Sequence, residues 1–188
     1  MNKEKKFLIA SALLPGAGQF LAGHIVKGIL FIVMHLLMGG ILLSGLFSNV
    51  LYKFVSLGDK PEVRTIFKTT AGDNSLDYLV NGALFFIILI LFIIFYVYNL
   101  KDARKLGKFI DAGNSLPKGE KYKDYVMDEF FMPTFLTPGA LGTIFVVFFP
   151  MLLTVLIAFT NYSGPDHLPP KNLFDWVGFE NFVRLIKY

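Results

Sequence analysis

LVNGALFFIILILFIIFYVY, residues 79–98, presents an apolar surface on every side when it is coiled as a helix. Only lipid or a very large protein core accommodates such a surface. About 20 apolar residues suffice for a helix to cross a hydrocarbon layer of about 30 Å. The stretch lies inside a longer block, residues 78–100, that carries no formal charge. Tyr78 stands at one end and Tyr96 and Tyr98 at the other, where amphipathic rings favour the headgroup level.

Working outward, two more charge-free blocks appear, at residues 28–52 and 130–165. Composition agrees with them. Of 188 residues 54% are hydrophobic, 21 are Phe, and only 17% are charged. Soluble domains carry about 25% charged side chains. Mean hydropathy is +0.57. Disorder is excluded, because disordered chains lack the apolar content to collapse. A disulfide scaffold is excluded by the absence of cysteine. The expected fold is all-α and integral to the membrane, with three transmembrane helices and short interfacial helices.

The first block is less uniform than the second. His35 sits mid-span, and Gly39, Gly40, Ser44 and Gly45 follow it. Gly40 and Ser44 form a small-xxx-small pair suited to a neighbouring helix, although glycine is also simply common in membrane helices. The third block is too long for one straight span. The sequence places a helix at residues 140–162, with Pro138 near its start and Pro150 inside it. Pro150 removes one helical hydrogen bond and is expected to kink the span, so that it serves either rocking of the helices or plain packing.

Residues 1–24 begin with Lys3, Lys5 and Lys6 and continue as FLIASALLPGAGQFLAG. In outline this matches a secretory signal. A full span begins only a few residues later, so Pro15-Gly16-Ala17-Gly18-Gln19 reads as a turn between an interfacial helix and that span. The organisation expected is therefore a cytoplasmic arm (1–24), a two-span section (25–100), a cytoplasmic loop (101–134) and a third span with an external segment (135–188). Within the loop, Tyr122, Tyr125, Val126, Glu129 and Phe130 recur near helical spacing, which fits an amphipathic elbow helix or a solvated linker.

Lysine and arginine orient the spans, since they gather on the cytoplasmic side. The arm has Lys3, Lys5, Lys6 and Lys27 against Glu4 alone, and residues 101–108 hold Lys101, Arg104, Lys105 and Lys108. The tail after Tyr162 has only Lys171, Arg184 and Lys187. The bias places the N-terminus inside and the C-terminal end of the chain outside. Lys53, Lys60, Arg64 and Lys68 between the first two spans run against it. The net charge of +4 tracks this orientation and the membrane lipid. It does not form an aromatic-interleaved face for nucleic acid.

No catalytic constellation emerges. His24, His35 and His167 belong to three segments without cysteine or an HExxH pair, so no metal site is expected. No Walker A run, GxGxxG or GxSxG elbow occurs, and no cofactor is expected. His35 is the one titratable group inside a span, and a neutral imidazole bonded to a neighbouring helix is favoured over a functional role.

The third block and the segment after it resemble a known family. Residues 137–163, TPGALGTIFVVFFPMLLTVLIAFTNYS, lead to residues 167–186, HLPPKNLFDWVGFENFVRLI. A span with an internal proline, ending in Phe159-Thr160-Asn161-Tyr162 and followed by Trp176-Val177-Gly178-Phe179-Glu180-Asn181-Phe182, resembles the opening of the sugar permease subunits of bacterial ABC importers. Residues 13–31, LLPGAGQFLAGHIVKGILF, and residues 99–108, NLKDARKLGK, are similar to the two-span N-terminal extension of the maltose and maltodextrin permeases of Gram-positive bacteria. The resemblance implies a transport subunit and not an enzyme. ATP hydrolysis resides in separate ATPase subunits, a second permease subunit completes the pathway, and an extracellular binding protein delivers the sugar. It also implies further spans and a Glu-Ala-Ala coupling loop that this chain does not contain, so an N-terminal fragment is expected. The alternative is a stand-alone three-span scaffold or adaptor.

Spacing further places Trp176, Phe179 and Phe182 on one apolar face of a short external helix. Under the resemblance they shape the outer mouth near the binding protein. As plain aromatics they anchor the segment to lipid. The family's sugar-contacting and ATPase-coupling residues lie mostly beyond Tyr188, and none is assigned to this chain.

Overall fold

The computed structural model describes residues 2–164, 166–167 and 171–187. Leu168, Pro169 and Pro170, which contribute to the family resemblance, lie outside the described residues. Among the described residues three helices are long and apolar enough to cross a membrane: Ile25–Phe47, Ser75–Asp111 and the helical run Glu120–Ile157. In their most apolar windows only 11%, 17% and 0% of residues are buried by the chain itself. Such surfaces suit lipid or the helices of other subunits. Two compact units are distinguished, Met1–Leu43 with Ile88–Ala140, and Ser44–Ile87 with Leu141–Tyr188.

The first unit contains α1 (Lys3–Leu13), α2 (Ala17–Leu21), most of α3 (Ile25–Phe47), the second part of α5 (Ser75–Asp111) and most of α6 (Glu120–Thr143). Asn2 caps α1 by accepting the Glu4 amide at 3.0 Å. Asp111 accepts the amides of Lys3 and Glu4 at 3.2 and 2.9 Å. A carboxylate there satisfies orphan donors and complements the positive end of the helix. Pro15 and Gly16 break the chain between α1 and α2, as the sequence predicts, but a short extra helix follows the turn. Gly16 has φ +90°, and a Cβ there would strike the Gly28 carbonyl. Gly18 is equally constrained, because its Cβ would meet Phe7 O and Ser11 Oγ. The α5 helix closes at Gly113, φ +86°, with the Asn114 amide reaching back to Phe109 O at 3.3 Å. That is a left-handed C-terminal cap.

The second unit contains α4 (Val50–Ser56), a two-stranded antiparallel hairpin of β1 (Val63–Arg64) and β2 (Thr69–Thr70), the start of α5, α7 (Phe149–Ile157) and α8 (Glu180–Lys187). Val63 pairs with Thr70 and Arg64 with Thr69. The core is Leu57, Leu79 and Phe174, all within 2% of full burial, with Phe54, Leu153, Leu156, Tyr162 and Trp176 packed on it. Ser75 ties three segments together. Its hydroxyl donates to Leu57 O at 2.6 Å and accepts the Phe174 amide at 3.0 Å, while its own amide donates to Asn172 O. Asn74 caps α5 by accepting the amides of Leu76 and Asp77.

The third span differs from the sequence expectation at both ends. Helix runs unbroken from Glu120, so the expected elbow helix and the span form one element, and Pro133 and Pro138 lie inside α6. At the other end helix stops at Ile157, not at residue 162. Beyond it the backbone bonds elsewhere: Phe159 O accepts the amides of Val177 and Gly178, and the Asn161 amide donates to Asp175 O. Pro150 leaves a mark in the winding. A π-helical turn, Ile144–Phe148, precedes it, and the Phe149 amide donates to Ile144 O. Widening the turn accommodates the donor that proline lacks.

Candidate functional site

A dense polar arrangement lies in the first unit, where α3, α5 and α6 bring acid and base together. Lys27, two residues into α3 and 6% exposed, pairs with Asp102 at 2.7 Å and with Glu129. The other Glu129 oxygen lies 2.6 Å from His24 Nε2. His24 Nδ1 lies 3.1 Å from the Tyr122 hydroxyl. This geometry fits an imidazole that donates from Nε2 to Glu129 and accepts from Tyr122 at Nδ1. One ammonium thus faces two carboxylates, with the histidine beside the second.

An amide layer continues from Asp102. Gln19 Nε2 donates to Asp102 at 3.0 Å and to Asn99 O at 3.2 Å, and Gln19 Oε1 accepts the Ser11 hydroxyl at 3.0 Å. Asn99 Oδ1 accepts the Gly16 amide at 3.0 Å, and its Nδ2 donates to Ser11 O at 3.2 Å. Ser11, Gln19 and Asn99 are fully buried. Every one of these side chains has partners, as burial in a medium of low dielectric demands. Glu4 extends the connection at the surface by pairing with Arg104 at 2.7 Å.

Chemically the cluster is a clasp. It holds no group of three or more His, Cys, Asp or Glu able to bind a metal, among the described residues. A cavity of about 260 Å³ opens beside it, walled by Lys27, Asp102, Lys105, Phe109, Tyr125 and Glu129. Replacing one member of such a cluster strands the others in a poorly solvated place, so its integrity is tied to all of them at once.

The residues singled out by sequence fall elsewhere. Gly40 and Ser44 are exposed, and a Cβ on Gly40 would meet nothing within 4 Å. The glycines in close approach are others: Gly45 against the Phe85 ring, Gly82 against the Phe54 ring. His35 is buried but bonds within its own helix, Nδ1 to Phe31 O at 2.7 Å, and not to a neighbour. The rings of Phe92 and Tyr96 stand edge-on to it at 5.4 and 6.1 Å.

The aromatic triplet does not share a helix face, because helix begins only at Glu180. Trp176 instead pairs with Thr160 in a β-bridge, and its Nε1 donates to Phe54 O at 3.1 Å. Phe179 and Phe182 both gather on Phe159, at 5.3 and 5.2 Å. Asn181 clamps the segment by donating to Ala158 O and Thr160 O at 3.0 and 2.7 Å. Pro150 is the second residue of α7, just behind the π-turn, and Thr154 Oγ1 donates to its carbonyl at 2.9 Å.

Sequence reasoning missed the clasp, although a signal was present. Lys27 and Glu129 are the charges that fence two of the apolar blocks, and Asp102 stands one residue beyond a third fence, Lys101. A second polar node escaped it too. Asp73 accepts the Tyr78 hydroxyl at 2.6 Å and the amides of Asp59 and Lys60 at 3.1 Å. The tyrosine hydroxyl first, and then the two amides, hold the Asp73 carboxyl below the usual carboxylate range.

Comparison with known proteins accords with this architecture. No family model matches the chain. No solved structure matches it either. The maltodextrin transport system permease protein MdxF of Bacillus subtilis is 32% identical over 188 residues, which cover 98% of this chain and 40% of that protein. MalC, the maltodextrin transport system permease protein of Streptococcus pneumoniae, is 34% identical over 191 residues, 98% of this chain and 41% of that protein. The galactooligosaccharides transport system permease protein GanP of Bacillus subtilis is 28% identical over 183 residues, again 41% of its length. The chain therefore spans about two-fifths of the length of these relatives. Along nearly its whole length the chain is thus similar to sugar transport permeases, and it matches only part of each.

Proposed function

We propose that the chain forms the N-terminal membrane section of a permease subunit that imports maltodextrin or maltose at the expense of ATP hydrolysed by a partner. The observation that carries the reading is the 98% coverage of this chain by two maltodextrin permeases. In this reading a second permease subunit, ATPase subunits and an extracellular sugar-binding protein complete the transporter. The subunit itself performs no covalent chemistry.

The N-terminus and the basic end of α5 face the cytoplasm. Support comes from Lys101, Arg104, Lys105 and Lys108, all within the last turns of α5. The clasp of His24, Lys27, Asp102 and Glu129 then lies toward the cytoplasmic ends of the spans, where it locks the first two helices to the third. Trp176 and the Phe159–Phe179–Phe182 group belong to the outer side and shape the segment that meets the incoming sugar carrier.

Gene deletion tests the substrate. Cells lacking the intact gene are expected to lose uptake of labelled maltotriose and to keep uptake of galactooligosaccharides; the opposite pattern overturns the assignment. Co-purification tests the assembly, since intact permease that recovers no ATPase subunit would leave the scaffold alternative standing. A reporter active only in the cytoplasm, fused after Asn114, tests the orientation, and silence there reverses it.

A further inference from the structure

The first unit carries an open hollow of about 530 Å³ between α1, the end of α2, the end of α5 and the segment after α5, with Lys3, Lys6 and Lys118 exposed at its rim. Its charged lining is entirely basic: Lys3, Lys6 and Lys118 contribute, and no Asp or Glu does. Among the described residues none of these three ammonium groups has a carboxylate within ion-pair distance. The neighbouring acids are engaged elsewhere. Glu4 holds Arg104 at 2.7 Å and lies 3.9 Å from Lys108, and Asp111 accepts the backbone amides at the start of α1.

Three like charges around one hollow attract an anion, and low-dielectric walls strengthen that field. Phe7, Leu21 and Ile110 supply the apolar part of the wall. A compact anion with an apolar appendage matches both halves of the lining. Lysine ammonium groups bind phosphate as point charges with three donors each.

We propose that this cavity is a phosphate-binding site in which Lys3, Lys6 and Lys118 hold the phosphate group. Two sources present that chemistry, the headgroup of an anionic phospholipid and inorganic phosphate. The apolar wall adds affinity only for the first. The proposal is independent of the sugar transported.

The test uses the whole chain in a neutral detergent and reads the thermal unfolding midpoint. Phosphatidylglycerol, phosphatidylcholine and inorganic phosphate are added separately. Phosphatidylglycerol is expected to raise the midpoint and phosphatidylcholine to leave it nearly unchanged. In the K3Q/K6Q/K118Q variant at least three-quarters of that shift disappears, whereas K60Q/K68Q, which alters two lysines outside the cavity, keeps it. K3R/K6R/K118R retains the shift. The single variant K118Q, on the exposed segment after α5, lowers it by about a third and provides the reading if the triple variant does not fold. A lysine-dependent shift with phosphatidylglycerol alone identifies a lipid headgroup; the same dependence with inorganic phosphate identifies a soluble source. Absence of any shift, or a shift that survives loss of the lysines, overturns the site.

Discussion

Lys27 and Glu129 are 102 residues apart in the chain and form an ion pair in the first unit. Each arrives from a different membrane helix, and each has a second partner, Asp102 at 2.7 Å for the lysine and His24 at 2.6 Å for the glutamate. The pair is therefore the centre of a cluster, and its energetics are those of a cluster. Buried charges are costly to bring together and more costly to separate.

That asymmetry gives the first prediction. Lys27→Met leaves two carboxylates without their ammonium and is expected to destabilise the unit by about 3 kcal/mol, the range for breaking a buried pair. Lys27→Met combined with Glu129→Gln and Asp102→Asn removes the stranded charges and is expected to recover more than half of the loss. Unfolding by graded denaturant in detergent measures both. A triple variant less stable than the single one would show that the three residues act independently.

Close backbone approach gives the second. Gly107 faces the first turn of α1, and a Cβ there would strike the Glu4 backbone. Gly107→Ala is expected to push α1 away, at a cost of about 1–3 kcal/mol as for other overpacking changes. Gly40→Ala meets open space and is expected to stay within about 0.5 kcal/mol of wild type. Protection of the amides of residues 3–13 from hydrogen exchange distinguishes the two, with loss in the first variant only.

Trp176 is the only tryptophan, so its fluorescence reports on the second unit without labelling. Its indole N–H donates to Phe54 O, and the two rings meet edge to face at 5.5 Å. Phe54→Ala is expected to shift the emission to longer wavelength as water reaches the indole. Trp176→Phe keeps most of the apolar contact and is expected to cost about 1 kcal/mol, the net value of the lost hydrogen bond.

Much of this architecture is legible in the sequence, and the parts that are not share a cause. The three spans follow from charge-free length alone, since lipid imposes that requirement on each helix separately. Pro133 and Pro138 suggest a late start for the third span, yet α6 runs through both. The local signal of a helix breaker is outweighed by the need of a membrane helix to satisfy its backbone internally. Trp176, Phe179 and Phe182 have helical spacing, but the bridge from Thr160 to Trp176 takes that backbone into a different pairing. The clasp depends on which helices lie side by side. Intervals of 75 residues from Lys27 to Asp102 and 102 from Lys27 to Glu129 carry no periodic trace of that neighbourhood.

Acid sensitivity follows from Asp73. Its carboxyl lies below the ordinary value of 3.8 in the folded chain, so ionised Asp73 favours the fold. The contribution is fully present above the unfolded pKa and fades as pH falls through the lower, folded one. Release of the segment between α4 and α5 is therefore expected only below about pH 4. Limited proteolysis with an acid-active protease at stepped pH measures it. Asp73→Asn is expected to make cleavage in this segment nearly independent of pH across that window, with a higher baseline.

The contacts of α1 also set an order of events during synthesis. This helix leaves the ribosome before its partners: Arg104, the partner of Glu4, follows 100 residues later, and Asp111, which caps it, 107 residues after Glu4. Until then its start has no carboxylate cap and Gln19 has no Asp102 to meet. Two hydrophobic segments must already have been handed to the bilayer before the opening residues find their place. The contacts of α1 are thus expected to form only once α3 and α5 are both in place, and a chain in which α5 fails to insert is expected to leave Asp102 and Asp111 out of its reach.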